Sequence, residues 1–446
     1  MRVLPGGSIL LLLWLLAVPG SSAETGSQVL PAGRVGLTIT ETAGLPRTHV
    51  PVMVTGETVL RITGAAAIDT RSLRLIPVGG QPVPLQVDEK DGTGLYQAVP
   101  NHHLDPDDEI LWQVDLAPYA QQRYYLAYGP EALPDTPEDN GDVTLKENAP
   151  SGSHPYHLLL SNSFLQAGIQ GNEQQVYDGR LKGCLARLSA GGTDLVTYGA
   201  PGMWGPTQAG VDWQRLPIVV ACGPIRTTVA VVAEQVDRAF QREGGTWTVV
   251  EATRGTLKGQ MYRYFSLYNH LPYLECREMY QVVKASRDFS ASFVFPFRTA
   301  PVSPLERGDT LYGPLEDGGI SALKLENKQF YQTQYPFSGW FGLSSEKLAR
   351  GLALFYDYEQ ALFVYGGVIP AHLRQHLGDK DAWITSNFAV TYSLPDMPAG
   401  QVSGVRFGLY ALNRENGEAI RDLYLSLWGA PLDLKWGALE QPEGGD

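Results

Sequence analysis

The sequence predicts an all-β protein, with a small N-terminal β-barrel or sandwich domain followed by a large antiparallel β-supersandwich. Three observations support this prediction. Short apolar runs recur about every eight to fifteen residues, and the turn residues between them come from 49 Gly and 31 Pro. Only two stretches have helical periodicity, Pro370–Leu377 and Glu415–Leu427. Many strands with few helices favour two packed sheets.

Residues 24–132 are expected to form the N-terminal β domain. We predict its strands where β-branched and aromatic residues form short apolar or alternating runs between turn residues. These strands are Val35–Thr40, Val50–Met53, Val59–Ile62, Leu73–Pro77, Pro82–Val87, Glu109–Val114 and Arg123–Ala127. Residues 133–152 lose the apolar pattern and gain Pro and acidic residues. We therefore predict a linker over 133–152.

Residues 153–446 are expected to form the supersandwich. Between Tyr268 and Tyr273 a hairpin turn is predicted, because Asn269 tolerates turn dihedrals and Pro272 cannot continue a strand ladder. The clearest strands of this region are Ile225–Glu234, Thr246–Ala252, Gln260–Tyr268, Tyr273–Val283, Ala291–Phe297, Ala353–Tyr356, Leu362–Val368, Phe388–Ser393 and Val405–Leu412.

The first 23 residues have the order of a cleavable export signal. Arg2 precedes an apolar run of about ten residues over Ile9–Val18, and the small residues Gly20–Ala23 follow it. A membrane-spanning helix needs about twenty apolar residues, so an anchor is the weaker alternative. We expect cleavage after Ala23, with a mature protein that is secreted or periplasmic and has no membrane contact.

Charge and cysteine content narrow the possible partners. The formal net charge is −13 and we find no basic face, so nucleic acid is not an expected partner. Cys184, Cys222 and Cys276 lie far apart, without the spacing of a zinc or redox motif. One disulfide with a leftover thiol and three buried, unpaired thiols are both open. We favour the second alternative because each cysteine lies in an apolar, strand-like stretch.

Several segments of the second region resemble a known fold family. The segment Leu160–Leu195, with a turn at Gly179–Leu181, is similar to the opening hairpins of the galactose-mutarotase-like supersandwich. The string Tyr264–Tyr268 followed by Leu271–Glu275 resembles the central hairpin of that fold. The fold recurs in polysaccharide lyases and at the C-terminal end of some glycosidases, so the resemblance implies a protein that acts on carbohydrate.

Two segments of the first region extend the resemblance. Leu37–Gly44 and Pro82–Asp88 are similar to the N-terminal barrel that precedes the sandwich in exo-rhamnogalacturonan lyase-like proteins. Those lyases also carry a toroid of paired helices, and no segment of this sequence could form one. Half of their active-site cleft would be missing, so their catalytic residues are not carried over to this chain. Fold alone does not fix function.

The predicted central hairpin has the richest supply of groups for sugar chemistry. Proton abstraction beside a uronic-acid carboxylate needs a base such as Tyr or His, together with a cation that neutralises the carboxylate. Strand alternation places Arg263 on one face and Tyr262, Tyr264, Ser266 and Tyr268 on the other. On the partner strand, one face is shared by Glu275, Arg277 and Gln281.

The candidate catalytic residues on this hairpin are Tyr264, His270, Arg277 and Glu275. Its candidate substrate-binding residues are Tyr262 and Asn269. A structural alternative stays open, in which the tyrosines pack against a neighbouring sheet and Glu275 and Arg277 form a cross-strand pair. The acid pair of a glycosidase is not found here, since Glu275 and Glu278 should lie on opposite faces.

Tryptophans in loops can stack on the apolar faces of sugar rings. Trp204 and Trp213 fall in a Gly- and Pro-rich stretch that we expect to be a flexible loop, and Arg215 follows them. We include all three as candidate substrate-binding residues. The alternative is that both indoles bury against their own domain.

No metal site and no cofactor are predicted. His372 and His376 could share a helical face, but Leu373 stands where a zincin would have Glu. Calcium is left open at the acidic stretches Asp88–Gly92 and His102–Glu109, although neither keeps the alternation of oxygen ligands of a known calcium loop. Nucleophile-elbow, phosphate-binding and dinucleotide motifs are absent from the sequence.

Together these features favour a secreted carbohydrate-active protein that acts on an extracellular polysaccharide. A polysaccharide lyase using β-elimination at a uronic acid is the expected enzyme, and a glycoside hydrolase is less well supported. The alternative is a non-catalytic glycan-binding or cell-surface structural protein. The arginines discriminate between the two, because a lyase requires Arg215, Arg226, Arg263 and Arg277 to converge on one cleft.

Overall fold

The structure is a computed structural model of the 446-residue chain. No helix in the part of the chain that it describes is long and apolar enough to span a bilayer. The described residues are 33–97, 99–133, 141–147, 158–170, 185–197, 200–204, 210–213, 217–236, 240–243, 246–249, 257–282, 289–297, 308–325, 330–334, 338–359, 361–368, 386–394 and 398–440. The predicted export signal and its cleavage site lie outside these ranges.

The N-terminal domain begins with six strands and one short helix. A four-stranded sheet and a three-stranded sheet enclose its apolar core, in which Trp112 and Ile39 are fully buried. The elements are β1 (Gly33–Thr40), β2 (Arg47–Thr55), α1 (Gly56–Thr63), a 3₁₀ turn (Thr70–Ser72), β3 (Arg74–Pro77), β4 (Gln86–Asp88), β5 (Glu109–Leu116) and β6 (Gln121–Tyr128). Along β1, buried and half-buried residues alternate, as the period of a half-buried strand requires.

The remaining strands build a large sandwich, with a second helix near its end. They are β7 (Thr144–Glu147), β8 (Leu158–Ser161), β9 (Leu165–Ile169), β10 (Leu185–Ala190), β11 (Thr193–Thr197), β12 (Ala200–Trp204), β13 (Gly210–Trp213), β14 (Ile218–Cys222), β15 (Arg226–Val236), β16 (Phe240–Glu243), β17 (Thr246–Val249), β18 (Leu257–Tyr268), β19 (Tyr273–Val282), β20 (Phe289–Phe297), β21 (Asp309–Pro314), β22 (Ile320–Lys324), β23 (Phe330–Gln334), β24 (Trp340–Ser345), β25 (Arg350–Tyr356), β26 (Ala361–Val368), β27 (Ser386–Leu394), β28 (Val402–Leu412) and α2 (Gly417–Tyr424).

Two ten-stranded antiparallel sheets form this sandwich. One has the order β23-β26-β27-β20-β11-β10-β9-β8-β7, with β12 beside β20, and the other has the order β13-β15-β18-β19-β28-β25-β24-β21-β22, with β14 beside β15. Aliphatic residues from both sheets, such as Leu188 and Leu354, meet in one buried core. The predicted all-β class with a large sandwich is confirmed.

The predicted domain boundaries need two corrections. Part of the predicted linker is a strand of the sandwich, because β7 pairs with β8. The last strand, β29 (Asp433–Glu440), pairs with β1 and completes the sheet β29-β1-β6-β3. The chain therefore returns to the N-terminal domain after it has built the sandwich, and residues 153–446 are not one structural unit.

The helix predictions had mixed outcomes. The prediction of a strand at Val59–Ile62 is wrong, because α1 covers these residues. The Thr55 side chain accepts a hydrogen bond from the Thr58 amide at 3.3 Å, and Gly64 ends the helix with a left-handed φ of 62°. The helix predicted at Glu415–Leu427 is confirmed by α2, and Pro370–Leu377 lies outside the described residues.

Candidate functional site

The central hairpin of the sandwich has the predicted geometry. β18 and β19 are antiparallel neighbours, and Tyr264 lies opposite Arg277 and Ser266 opposite Glu275. Phe265 and other residues of opposite parity point into the sandwich core. The predicted turn and the predicted sharing of faces are confirmed, so the polar and aromatic groups lie together on the outer face of the sheet.

This outer face is not open, because loops of the N-terminal domain cover it. The ring of Tyr96 packs edge-on against the ring of Tyr264, with the centroids 4.7 Å apart. Tyr264 is buried, and burial raises its pKa above the ordinary value. A buried phenol with a raised pKa stays protonated, which disfavours Tyr264 as a base in this arrangement, and its catalytic role stays a prediction.

A buried cluster of ions joins the two domains on this face. Arg226 of β15 is completely buried. Its Nε and Nη2 donate to one oxygen of Asp88 at 2.9 and 2.7 Å, and Nη2 also pairs with Glu109. The hydroxyls of Tyr96 and Tyr268 accept further bonds from this guanidinium at 2.8 and 3.0 Å. Each charge is thus compensated, as a buried charge requires.

Glu109 is the second centre of this cluster. It pairs with Arg226, with Arg277 and with the ammonium of Lys90, the last at 2.8 Å. Burial alone would raise its pKa, but these three cations outweigh that effect and hold the pKa of Glu109 well below its usual range. Of the predicted arginines, Arg226 and Arg277 therefore converge on one carboxylate.

Of the other two predicted arginines, the structure describes only Arg263, which does not join them. Arg263 lies on the opposite face of β18 and pairs with Glu278 at 2.8 Å in the sandwich. Arg215 lies outside the described residues. Two of the three described arginines, Arg226 and Arg277, therefore converge, and both are neutralised by carboxylates of the N-terminal domain.

A small pocket of about 60 Å³ opens beside this cluster, at the junction of the two domains. We call it the interdomain pocket. Its charged groups are Glu275, Arg277 and Arg406, and Glu275 accepts from Arg277 Nε at 2.6 Å. The full lining consists of Pro51, Met53, Tyr268, Tyr273, Glu275, Arg277, Arg406, Leu427 and Trp428.

Trp428 forms the aromatic wall of the interdomain pocket. Its indole N–H donates to the Tyr273 hydroxyl at 2.7 Å, and the Arg406 guanidinium lies 4.3 Å from the ring centroid. This contact is a cation–π pair. Trp428 belongs to a π-helical turn, Leu425–Gly429, that continues α2. Such turns are frequent at functional sites.

An ion pair from the N-terminal domain holds this π-helical turn in place. Arg47 donates to the carbonyl oxygens of Ser426 and of Ala430, the latter at 2.9 Å. The same guanidinium donates to Glu41 at 2.8 Å, and both side chains are almost fully buried. Trp428 is thereby positioned from the opposite domain.

Sequence reasoning missed Arg406 and Trp428. Arg406 stands on β28 opposite Arg277, and strand alternation alone could have placed it on the same face. Trp428 had no comparable signal, because the helical stripe of α2 does not predict where a π-helical turn directs the next side chain.

The electrostatics of the interdomain pocket favour anion binding over proton abstraction. Burial raises the pKa of Tyr268 to about 12 and holds the pKa of Tyr273 well above its ordinary value. Burial would also raise the pKa of Glu275, but Arg277, Arg406 and Arg226 lower it. Both phenols are therefore protonated at neutral pH, and Glu275 is an ionised, weak base.

The turn residues of the hairpin lie outside the pocket lining. Asn269 is completely buried, its side-chain oxygen accepts from the amides of Asp142 and Val143, and its amide group donates to the Gly223 carbonyl. These bonds and its burial leave no atom of the side chain accessible in this arrangement, and its role in substrate binding stays a prediction. His270 is partly exposed and faces Asp142.

The other predicted binding residues are only partly described. Trp204 and Trp213 end the strands β12 and β13, which belong to different sheets, so the expectation of a flexible loop is wrong at both positions. Their side chains lie outside what the structure describes, and their role in binding stays a prediction. Tyr262 is half-buried beside Tyr264, with its hydroxyl donating to Gln260 at 2.6 Å.

The acidic stretches considered for calcium bind backbone amides. Asp108 accepts from the amides of Lys90 and Asp105, and Asp107 accepts from those of Gly92 and Gly94. Among the described residues, no group of three or more His, Cys, Asp or Glu side chains has the arrangement of a metal site. The carboxylates of Asp107 and Asp108 thus link the two acidic stretches through hydrogen bonds from backbone amides.

Two of the three cysteines can be placed. Cys276 is buried and free, as predicted, whereas Cys222 is free but exposed. The expectation of burial is wrong for Cys222 because β14 lies beside β15, off the main path of its sheet, and Ile218 and Val219 of this strand are exposed as well. Cys184 lies outside the described residues.

Comparison with known proteins gives similarity at the level of structure only. No protein-family model matches the chain, and no curated protein matches it. An α-mannosidase from Enterococcus faecalis V583 aligns over 92% of this chain and 46% of its own, at 12% identity and a TM-score of 0.48. This chain thus spans about half the length of that protein.

Two further solved structures show weaker similarity. A protein named as an aldose 1-epimerase from Escherichia coli K12 aligns over 57% of this chain and 98% of its own, at 8% identity and a TM-score of 0.35. A TPR-domain containing protein from Parabacteroides distasonis aligns over 84% of this chain and 56% of its own, at 11% identity and a TM-score of 0.34. The fold and the site together define an all-β protein with an arginine- and aromatic-lined pocket at its domain junction.

Proposed function

We propose that this chain is a secreted carbohydrate-active protein that binds an acidic extracellular polysaccharide at the interdomain pocket. One observation supports this most directly. Arg277, Arg406 and the indole of Trp428 line a single pocket between two β domains. Proteins recognise carboxylate and sulfate groups through the planar fork of Arg, and an aromatic ring offers a stacking surface for the apolar face of a sugar.

The size of the pocket restricts what enters it. A volume of about 60 Å³ is far below the roughly 300 Å³ of a pocket that encloses a whole small molecule. It suits the acidic group of a sugar, with the ring outside against the rim. A carboxylate on the sugar would face Arg406, which is exposed at the pocket.

Binding without bond cleavage is the form of this function that the described residues favour. β-elimination needs a base beside the sugar, and the phenols of Tyr264, Tyr268 and Tyr273 are buried with raised pKa values. The lyase form retains one supporting observation, which is that cationic groups able to neutralise a uronate carboxylate line the pocket. We therefore propose a glycan-binding protein first and a polysaccharide lyase second.

We include secretion in the proposal because the first 23 residues have the order of an export signal. Secretion would also bring the protein to an extracellular polysaccharide. Expression of the full chain in a secreting host, followed by N-terminal sequencing of the exported protein, tests it. A mature terminus at Glu24 is expected, and retention of the uncleaved chain in the cytoplasm would contradict this part.

A panel of uronate, sulfated and neutral polysaccharides tests the activity. Retention on affinity gels measures binding, and ultraviolet absorbance of the unsaturated product measures elimination. We expect retention on acidic gels that weakens with salt, with no rise in absorbance. A rise would establish the lyase form, and equal retention on neutral gels would refute an acidic ligand.

Variants connect the activity to the interdomain pocket. Arg406→Gln and Trp428→Ala should each weaken binding at least about tenfold, since a charge-assisted or stacking contact of about 1.4 kcal/mol is lost. Arg421→Gln is the matched control, because Arg421 is half-exposed on α2 and pairs only with Asp422 among the contacts described. Unchanged binding in both pocket variants would show that the polysaccharide binds at another site.

A further inference from the structure

Two histidines from different domains face each other, and neither belongs to the lining of the interdomain pocket. His49 lies in β2, where the pairing with β5 shifts register between Arg47 and Val50. His270 lies in the turn of the central hairpin. Their ring centroids are 5.3 Å apart, with an angle of 42° between the planes. Both side chains are about 40% exposed, so solvent reaches them.

An aspartate stands behind each imidazole. The His49 amide donates to Asp115 at 2.7 Å and the His270 amide donates to Asp142 at 2.8 Å. The same carboxylate oxygens lie 3.9 and 3.8 Å from the Nδ1 atoms. A carboxylate on the Nδ1 side favours the tautomer whose Nε2 is free to accept a proton or a metal ion.

Both histidines also have unusual backbone conformations. The φ angles are 51° at His49 and 59° at His270, in the left-handed region that side chains rarely adopt. Such conformations cost free energy and cluster at functional sites. The same local arrangement therefore occurs once on each side of the domain junction. In it, a histidine has a left-handed backbone conformation and its backbone amide donates a hydrogen bond to an aspartate.

The ring separation matches the spacing of two imidazoles on one metal ion. A Zn–N bond of about 2.0–2.1 Å puts the ion about 3.2 Å from each ring centroid, and a tetrahedral angle then separates the centroids by about 5.2 Å. The observed separation is 5.3 Å. We propose that His49 and His270 bind one divalent transition-metal ion, such as zinc, across the domain junction through their Nε2 atoms.

The protein supplies two ligands in this site, and water or an external ligand completes the coordination. This agrees with the lack of any described cluster of three or more protein ligands. The carboxylates of Asp115 and Asp142, 3.9 and 3.8 Å from the Nδ1 atoms, offset part of the charge of the ion. Because the ligands come from both domains, the bound ion cross-links the domain junction and stabilises the docked arrangement.

Metal titration of the untagged, chelator-treated protein tests the proposal. Isothermal titration with zinc chloride should give one ion per chain, and zinc should raise the melting temperature. His49→Asn and His270→Asn should each weaken binding at least about tenfold, because Asn tolerates the left-handed backbone but lacks the imidazole. His103→Asn is the control, since His103 is exposed on a separate loop.

Two results would overturn the proposal. One is the absence of zinc binding by the wild-type protein. The other is an unchanged zinc affinity in a variant that carries both His49→Asn and His270→Asn. If a variant fails to fold, ethoxycarbonylation of the wild-type histidines with diethyl pyrocarbonate tests the site instead. Zinc should protect His49 and His270 but not His103 in the peptide map, and equal modification with and without zinc would refute the site. Polysaccharide binding is not required for any of these readouts.

Discussion

Removal of the Arg226 guanidinium should destabilise the protein more than any exposed charge change, and Arg226→Met tests this. Methionine fills much of the same volume but donates no hydrogen bond. The substitution breaks contacts to Asp88, Glu109, Tyr96 and Tyr268 at once. Glu109 keeps Arg277 and Lys90 as partners, so the unpaired charge falls mainly on Asp88.

The magnitude follows from how buried each partner is. The side chain of Asp88 is 1% exposed, and after the substitution its described partner is the Gln86 amide at 2.6 Å. Leaving a buried charge without its counter-ion costs about 3–5 kcal/mol. We expect Arg226→Met to lower the free energy of unfolding by this amount, and Arg226→Met with Asp88→Asn to recover part of it.

Urea unfolding followed by tryptophan fluorescence measures the effect. Lys435→Gln serves as the control, because Lys435 pairs with Asp433 at the surface with 73% of its side chain exposed. An exposed pair contributes about 0–1 kcal/mol. A loss in Arg226→Met no larger than that of the control, or no recovery in the double variant, would refute the view that this ionic cluster holds the two domains together.

Three further predictions concern other buried groups. Burial opposes ionisation of Glu41, but Arg47 and backbone amides outweigh it and lower its pKa to about 2 from 4.5, so its stabilisation is complete above about pH 4.5 and is lost as pH falls toward 2. Glu41→Gln should lower the free energy of unfolding by about 3 kcal/mol at pH 7, and a deficit that does not shrink between pH 5 and pH 3 would contradict this pKa. Asn269→Ala should cost about 2 kcal/mol, because it leaves two part-buried amides and a carbonyl unpaired, and a melting temperature equal to that of the wild type would show that water replaces these bonds. Maleimide labelling of the native protein should modify Cys222 and spare Cys276 until unfolding, and equal labelling of both in the peptide map would contradict the burial of Cys276.

Local periodicity was sufficient to predict the central hairpin in detail. Strand alternation has a period of two, so placing the turn at 269–272 fixes which residues share a face along both strands. For this reason Tyr264 and Arg277 were correctly placed together, and Glu275 and Glu278 on opposite faces. The sequence could also predict α2, whose apolar residues form one stripe.

What covers the hairpin could not be predicted in the same way. The loop that carries Tyr96 and the strand that carries Glu109 precede the hairpin by more than 150 residues, and no periodic pattern encodes such a contact. The return of β29 to β1 is non-local in the same sense. The strand predicted at Val59–Ile62 is wrong for a local reason, because the caps Thr55 and Gly64 favour a helix there over the strand preference of Val59 and Ile62.

The arrangement of the domain junction bears on how the interdomain pocket would bind. The chain crosses between the domains twice, after β6 and again before β29, and Arg226 and Arg47 each bridge the junction with buried hydrogen bonds. The walls that carry Met53, Arg277 and Trp428 are therefore held in place from both domains. Ligand binding to such a preformed pocket loses little conformational entropy in the pocket residues. The affinity of the ligand therefore depends mainly on its contacts to Arg406 and Trp428.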